Sequence, residues 1–106
     1  MKRQWAEHQG RQAEDRAAAW LEERGWQLLD RRRKTRSGEI DIVARDGGAI
    51  VFVEVKWRRS AAQLDLAIDE PRLRRVAAAA EAVAHEYALA GEDLRIDVLL
   101  LAPGAE

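Results

Sequence analysis

Small and apolar residues recur at Ala6, Gly10, Ala13, Ala17, Trp20 and Leu21 with helical spacing, which predicts a first helix from about Gln4 to about Arg24. Gly25 supplies a natural C-terminal stop. A short strand is expected from Trp26 to Asp30, followed by the basic segment Arg31-Arg32-Arg33-Lys34-Thr35-Arg36-Ser37-Gly38, which ends in turn residues. From Glu39 to Arg45 the period changes to two, with Ile40 and Ile42 on one face and Glu39, Asp41 and Val43 on the other. Asp46-Gly47-Gly48 marks a hairpin, and Ala49 to Trp57 is the returning strand. Its near-continuous valine and isoleucine run predicts a central strand covered on both faces. Ser60 to Ile68 reads as a loop with room for a short turn of helix. Asp69 or Glu70 can cap the next helix, with Pro71 in its first turn. Leu73, Val76, Ala77, Ala80, Val83, Ala84 and Tyr87 form its apolar stripe; Gly91 ends the connection, Leu94 to Leu101 is a final strand, and Pro103-Gly104 follows. The order αβββαβ implies an α/β fold with a mixed sheet flanked by helices. The hairpins are antiparallel, and the last strand, arriving through a helix, can lie parallel to its neighbour.

The 106 residues suit a single domain, 1–106. Apolar residues make up 47% and charged residues 35%, a globular balance with a heavily charged surface. Cysteine is absent, so disulfides and thiolate metal sites are excluded, and a cytoplasmic setting is expected. The opening residues are basic but lack the apolar run of a signal peptide, and no stretch is apolar enough to span a membrane. With a formal net charge of -1, nucleic-acid binding would have to rely on local positive charge.

The chemistry concentrates on the central hairpin. Glu54 and Lys56 stand two apart on a strand, so their side chains share a face. An apolar strand gains nothing from burying such a pair, since each charge costs several kcal/mol unless it is paired or bound to a metal. If Gly47-Gly48 forms a two-residue loop, Asp46 pairs with Ala49, and counting back sets Asp41 opposite Glu54. Directly opposed residues have Cβ atoms about 4.5–5.5 Å apart. An Asp46-Gly47 loop would shift the pairing by two and keep Asp41 on the same face. Two carboxylates that close repel unless a cation lies between them, and oxygen ligands of this kind suit Mg²⁺ or Mn²⁺. Lys56, at the edge, could neutralise transition-state charge or assist an attacking water. The competing reading is a solvated strand face with Glu–Lys and Asp–Lys ion pairs; the setting among Ile40, Ile42, Val51, Val53 and Val55 favours the metal site.

Glu14 lies on the small-residue stripe of the first helix. It could reach the site as a third carboxylate or behind the ligands, or it could be a boundary glutamate paired with an arginine. Arg31, Arg32, Arg33, Lys34 and Arg36 lead into the acid-bearing strand, and Arg58 and Arg59 leave the next one just past Lys56. Arg72, Arg74 and Arg75 stand in the first turn of a helix, where the macrodipole disfavours cations, a placement that makes sense if an anion visits. Arg72 and Arg75 therefore join the candidate phosphate contacts; a merely solvated surface is the alternative. Trp57 reads as core, Trp5 and Trp20 as helix packing, Trp26 as a strand anchor, His8 and His85 as surface residues, and Arg95 and Asp97 as a pair on the last strand.

Asp41, followed after twelve residues by Glu54-Val55-Lys56, resembles the PD-(D/E)XK nuclease superfamily of restriction enzymes and archaeal Holliday-junction resolvases. More closely, the chain resembles the YraN family of bacterial proteins, through Gly10-Arg11-Gln12-Ala13-Glu14, Arg24-Gly25-Trp26, residues 38–44 and 51–58, and Leu94-Arg95-Ile96-Asp97-Val98. The resemblance covers nearly the whole chain and implies a restriction-endonuclease-like αβββαβ core. It implies Asp41 and Glu54 as metal ligands, Lys56 as the catalytic lysine, and Glu14 as the helix-borne acid of the resolvase-like branch. It further implies a Mg²⁺- or Mn²⁺-dependent endonuclease acting on DNA, branched DNA included, working as a homodimer with no membrane partner. Members that bind without cutting make a non-catalytic nucleic-acid- or protein-binding module the alternative. Three features depart from the pattern: Ile40 replaces the proline before Asp41, arginines replace the lysine common early in the second helix, and the stretch after Arg59 lacks the usual glycine-containing loop.

Overall fold

The computed structural model describes residues 2–59 and 70–102, with side chains from residue 11 onward. The expected loop at Ser60 to Ile68, a cap at Asp69, the Pro103-Gly104 pair and the side chains of Trp5 and His8 lie outside the described residues. The elements are α1 (Lys2–Glu23), β1 (Gln27–Thr35), β2 (Gly38–Asp46), β3 (Ala49–Trp57), α2 (Glu70–Val83), a 3-10 turn (Ala84–Glu86) and β4 (Asp93–Leu101). This is the predicted element order. The strands form one sheet in the order β1-β2-β3-β4. The first three run antiparallel, and β4 returns through α2 to lie parallel to β3. The fold is therefore mixed α/β, a four-stranded mixed sheet with two helices.

The helices cover opposite faces, because β3 is apolar at nearly every position and has two faces to bury. Ala17, Ala18 and Leu21 of α1 pack on Ile42, Ala44, Val51 and Val53. Ala79, Ala80 and Val83 of α2, with Ala84, pack on Ile40, Val43, Ile50 and Phe52. The small residues of both stripes let each helix approach the sheet closely. In α2 the inward stripe runs through Ala79, while Ala77, expected inside, is exposed. Trp20, expected to pack, is exposed and stacks under the Arg24 guanidinium at 3.7 Å instead.

The hairpin register follows the turn. Asp46 pairs with Ala49, so Gly47-Gly48 is the two-residue loop, with Gly47 in the left-handed region at φ 58°. Two expectations change. First, β1 continues through the basic segment to Thr35, well past Asp30. It is an edge strand, so its charged side chains find water while its backbone pairs with β2. Second, Ile40 and Ile42 do not share a face. Ile40 joins the α2-side core and Ile42 the α1-side core. The alternation breaks at Asp41, where the β2–β3 pairing stops after Ile42–Val53 and where Arg32, the β1 residue between the pairs Arg31–Ile42 and Arg33–Ile40, has a left-handed φ of 53°.

Among the described residues no helix is long and apolar enough to cross a membrane. Phe52 is 1% exposed and meets the Tyr87 ring edge-on at 6.4 Å. Phe52→Ala is expected to cost about 3–5 kcal/mol, read as a lowered urea midpoint with little change in slope.

Candidate functional site

Where β2 stops pairing with β3, the sheet opens, and the acids occupy that opening. The Asp41 carboxylate accepts a hydrogen bond from the Val55 amide at 2.8 Å, supplying the acceptor that the diverging β2 backbone no longer does. By the hairpin register Asp41 is the next residue opposite Glu54, one step beyond the last pair, Ile42–Val53. Glu54 follows the Ile50–Phe52 alternation toward α2 and is 1% exposed. Glu14 comes from α1 and is 6% exposed. They are the two buried charged residues among those described. Their burial is the strongest physical reason to look here, because carboxylates this deep require positive charge.

That charge is supplied by arginines. Arg72, in the first turn of α2, places Nε 2.5 Å from Glu54 Oε1, and Lys56 Nζ stands 3.6 Å from the same oxygen. The other oxygen, Oε2, is buried without a hydrogen-bond partner among the described residues. Glu14 Oε1 receives Arg32 Nε at 2.9 Å and Arg31 Nη2 at 3.2 Å. Arg31 also pairs with Asp15. Glu14 is thus paired with arginines, but as a buried residue and not a boundary one. Arg32 makes its contact from a backbone conformation that costs a non-glycine residue on the order of 1–3 kcal/mol.

Arg11, Glu14, Arg32, Lys34, Glu39, Asp41, Val55 and Arg72 line a cleft of about 470 Å³ over the opening. Its wall thus carries three acids, of which Glu14 is buried and Glu39 exposed, and four cations. Asp41 has no cationic side chain in hydrogen-bond contact among the described residues. Burial, first of all, pushes its carboxyl up from 3.8 to about 7; the negative charges of Glu54 and Glu14 add to this, while the Val55 amide and the positive charge of Arg72 oppose it.

The proposed phosphate contacts divide. Arg31, Arg32, Lys34 and Arg72 surround the acids. Arg33 points the other way and is held bidentately by Glu86 at 2.8 Å. Arg36, Arg59 and Arg75 are exposed; Arg58 is half-buried, its amide bonded to Leu101. His85 is exposed, and Trp57 is half-buried at the end of β3. Arg95 pairs with Asp97, as expected, and also with Asp46.

Sequence reasoning named Arg72 as a phosphate contact and missed that it neutralises Glu54. The signal was available in an arginine set against the helix dipole. It also passed over Arg11, one helical step before Glu14 and so on the same side of α1. The Arg45–Glu92 pair, at 2.7 Å, joins β2 to the start of β4 away from the cleft and has no role in the site.

A divalent cation fits the chemistry of this cleft. Asp41 and Glu54 are oxygen donors on opposed positions, one Glu54 oxygen has no hydrogen-bond partner among the described residues, and burial together with the neighbouring carboxylates drives Asp41 toward its neutral form. Glu14 does not join them as it stands. Among the described residues no three His, Cys, Asp or Glu side chains group closely enough to hold an ion.

The profile of the family described as "Uncharacterised protein family UPF0102" matches residues 13–101. The chain is 64% identical over 105 residues to a UPF0102 protein of Erythrobacter litoralis, covering 99% of this chain and 90% of that one. It is 56% identical over 103 residues to a UPF0102 protein of Sphingopyxis alaskensis, covering 97% and 89%. A UPF0102 protein of Anaeromyxobacter dehalogenans is 44% identical over 97 residues, covering 90% and 72%.

Because the folded Asp41 carboxyl titrates near 7 and an unfolded one near 3.8, folding takes up a proton between those values. Its stabilising contribution is complete below the unfolded value and is lost as pH rises through the folded one. Asp41→Asn, whose amide oxygen can still accept the Val55 hydrogen bond, should therefore gain stability relative to the parent at about pH 8 and lose that advantage near pH 4. Urea unfolding at both pH values checks this; an advantage that does not change with pH would exclude Asp41 as the titrating group.

Proposed function

The chain belongs to the UPF0102 family, the YraN family of the sequence resemblance, and we propose that it is a divalent-metal-dependent nuclease-like domain acting on DNA. The observation that carries this reading is a buried carboxylate, Glu54, with one oxygen unpartnered among the described residues, opposite an aspartate that burial drives toward its neutral form, beside a cleft lined by Arg11, Arg32 and Arg72. A structural ion pair would have no reason to leave Glu54 Oε2 unsatisfied at the centre of a sheet.

In this reading the core is restriction-endonuclease-like, and Asp41 and Glu54 would hold Mg²⁺ or Mn²⁺, with Glu14 completing the set once released. The bound cation supplies a Lewis acid for the phosphate and lowers the pKa of a coordinated water. The chain's own residues do the rest. The Val55 amide fixes the Asp41 carboxylate in place. Lys56, 3.6 Å from Glu54 and only partly exposed, would orient the attacking water and offset charge gathering on phosphorus. Arg32, Lys34 and Arg72 would hold the phosphates on either side of the scissile bond, with Arg36, Arg58, Arg59 and Arg75 extending the track; such contacts position a strand without reading its sequence. Arg33, engaged by Glu86, drops out of the set. The domain would work in the cytosol, on branched or linear DNA, as a homodimer.

The second reading is a binding module of the same fold. It is favoured by the arginines that already neutralise Glu14 and Glu54. Metal binding separates the two.

With Mg²⁺ or Mn²⁺, cleavage of branched, single-stranded and duplex DNA is expected, and Asp41→Ala and Lys56→Ala should each lower the rate by about 10²-fold or more. Cleavage that survives both substitutions would remove the mechanism. Absence of Mn²⁺ binding at about millimolar concentration, with or without DNA, would leave the binding module.

A further inference from the structure

The acids and the cations of the cleft differ in how much they need each other. The Glu14 and Glu54 side chains are 8% and 1% exposed, while those of Arg31, Arg32 and Arg72 are 36%, 42% and 43% exposed. The carboxylates cannot turn to water, so some cation must stay with them. The guanidiniums can, because one side of each already faces the cleft mouth or solvent. The exchange is therefore asymmetric. An arginine can leave its carboxylate if a phosphate receives it, and the carboxylate can release its arginine if another cation arrives. Neither half is favourable alone: a phosphate that took the arginines would strand Glu14 and leave Glu54 to Lys56 alone, and a metal ion that took the acids would leave three guanidiniums without their carboxylates.

We propose that Arg31, Arg32 and Arg72 are exchangeable counter-ions, drawn off Glu14 and Glu54 by nucleic-acid phosphates so that the freed acids take the divalent cation. The inference rests on the reading of the cleft given above and adds its regulation: metal and nucleic acid bind cooperatively, and the site is held closed until both are present. Two features support the latch. Arg32 keeps its contact with Glu14 from a left-handed backbone position at φ 53°, a strained state ready to be given up. And the acids are apart as long as Glu14 is held, since no three acidic or histidine side chains among the described residues group around an ion site. The latch also keeps the free protein from presenting a bare triad of carboxylates to any passing divalent ion.

Linkage makes the test quantitative, because the metal must raise nucleic-acid affinity by the same factor as nucleic acid raises metal affinity. Mn²⁺ binding is measured by calorimetry on the full chain, alone and saturated with a phosphorothioate DNA duplex that resists hydrolysis, with the duplex alone titrated as control. Duplex binding is measured by fluorescence anisotropy with and without Mn²⁺ at constant ionic strength. Both affinities are expected to change by about tenfold or more, and by equal factors. In a variant carrying Arg31→Gln and Arg32→Gly, the glycine suiting the left-handed position, Mn²⁺ should bind more tightly without DNA and gain much less from it. Mn²⁺ affinity in the parent that is indifferent to the duplex would overturn the counter-ion exchange and leave the metal site standing. So would a folded variant that binds free Mn²⁺ no better than the parent. No Mn²⁺ binding by any form, with or without duplex, would remove the metal site and the exchange together. If the variant fails to fold, as a melting curve would show, coupling in the parent decides the matter alone.

Discussion

Glu54 sits on the central strand of the sheet, facing α2, with almost no contact with solvent. A negative charge in that place has to be answered from the layers around it, and much of the local structure can be understood as the answer. Arg72 comes down from the first turn of α2 despite the unfavourable helix dipole, because Glu54 offers more than the dipole takes away. Lys56, two residues on, shares the face and adds a second cation at longer range. One oxygen is still left without a partner among the described residues, whose other buried side-chain polar atoms have found theirs. Both cations thus gather on one carboxylate oxygen, and the other is left without a hydrogen bond among the described residues.

The opening between β2 and β3 has the same origin in miniature. If β2 kept pairing past Ile42, Asp41 would lie flat against Glu54 with its carboxylate in direct opposition. Instead the pairing stops, the carboxylate turns onto the Val55 amide, and Arg32 across the other side of β2 adopts a left-handed conformation. The break costs ladder hydrogen bonds and backbone strain, and it creates a cleft reaching both layers. Helix α1 can then bring Glu14 toward the acids of the sheet, and the edge strand can bring Arg31 and Arg32 over them. Residues far apart in sequence meet because the sheet is opened at one residue pair.

How much of this could be read in the chain depends on range. The hairpin register was legible because Gly47-Gly48 fixes the turn and side-chain alternation carries the count back to Asp41 and Glu54. The element order and the small-residue stripes were legible for the same reason: both are local patterns. The extent of β1 was not, since Arg31 to Lys34 carry no apolar alternation and an edge strand needs only backbone partners. The faces of Ile40 and Ile42 were misjudged because strict alternation assumes an unbroken ladder, and the break arises from a neighbouring strand. The pairing of Arg72 with Glu54 joins different elements, so no spacing rule reveals it. Arg33 looked equivalent to its neighbours until Glu86, 53 residues on, claimed it.

In the sequence the acids and the arginines read as two separate populations, one for a metal and one for phosphate. In the folded chain they are one population, paired with each other, and under the proposed function each group is held by one that a ligand would replace. That changes what the site's charge balance means. The formal net charge of -1 says little about affinity for a polyanion when the relevant cations are already neutralised by acids within the same cleft. It also changes what a charge-removing substitution should do, since deleting an arginine would take away a proposed phosphate contact and, by the same act, uncover a carboxylate. Such opposed effects distinguish a cleft whose ion pairs are working partners from one whose ion pairs only hold the fold together, where loss of either member would weaken everything at once.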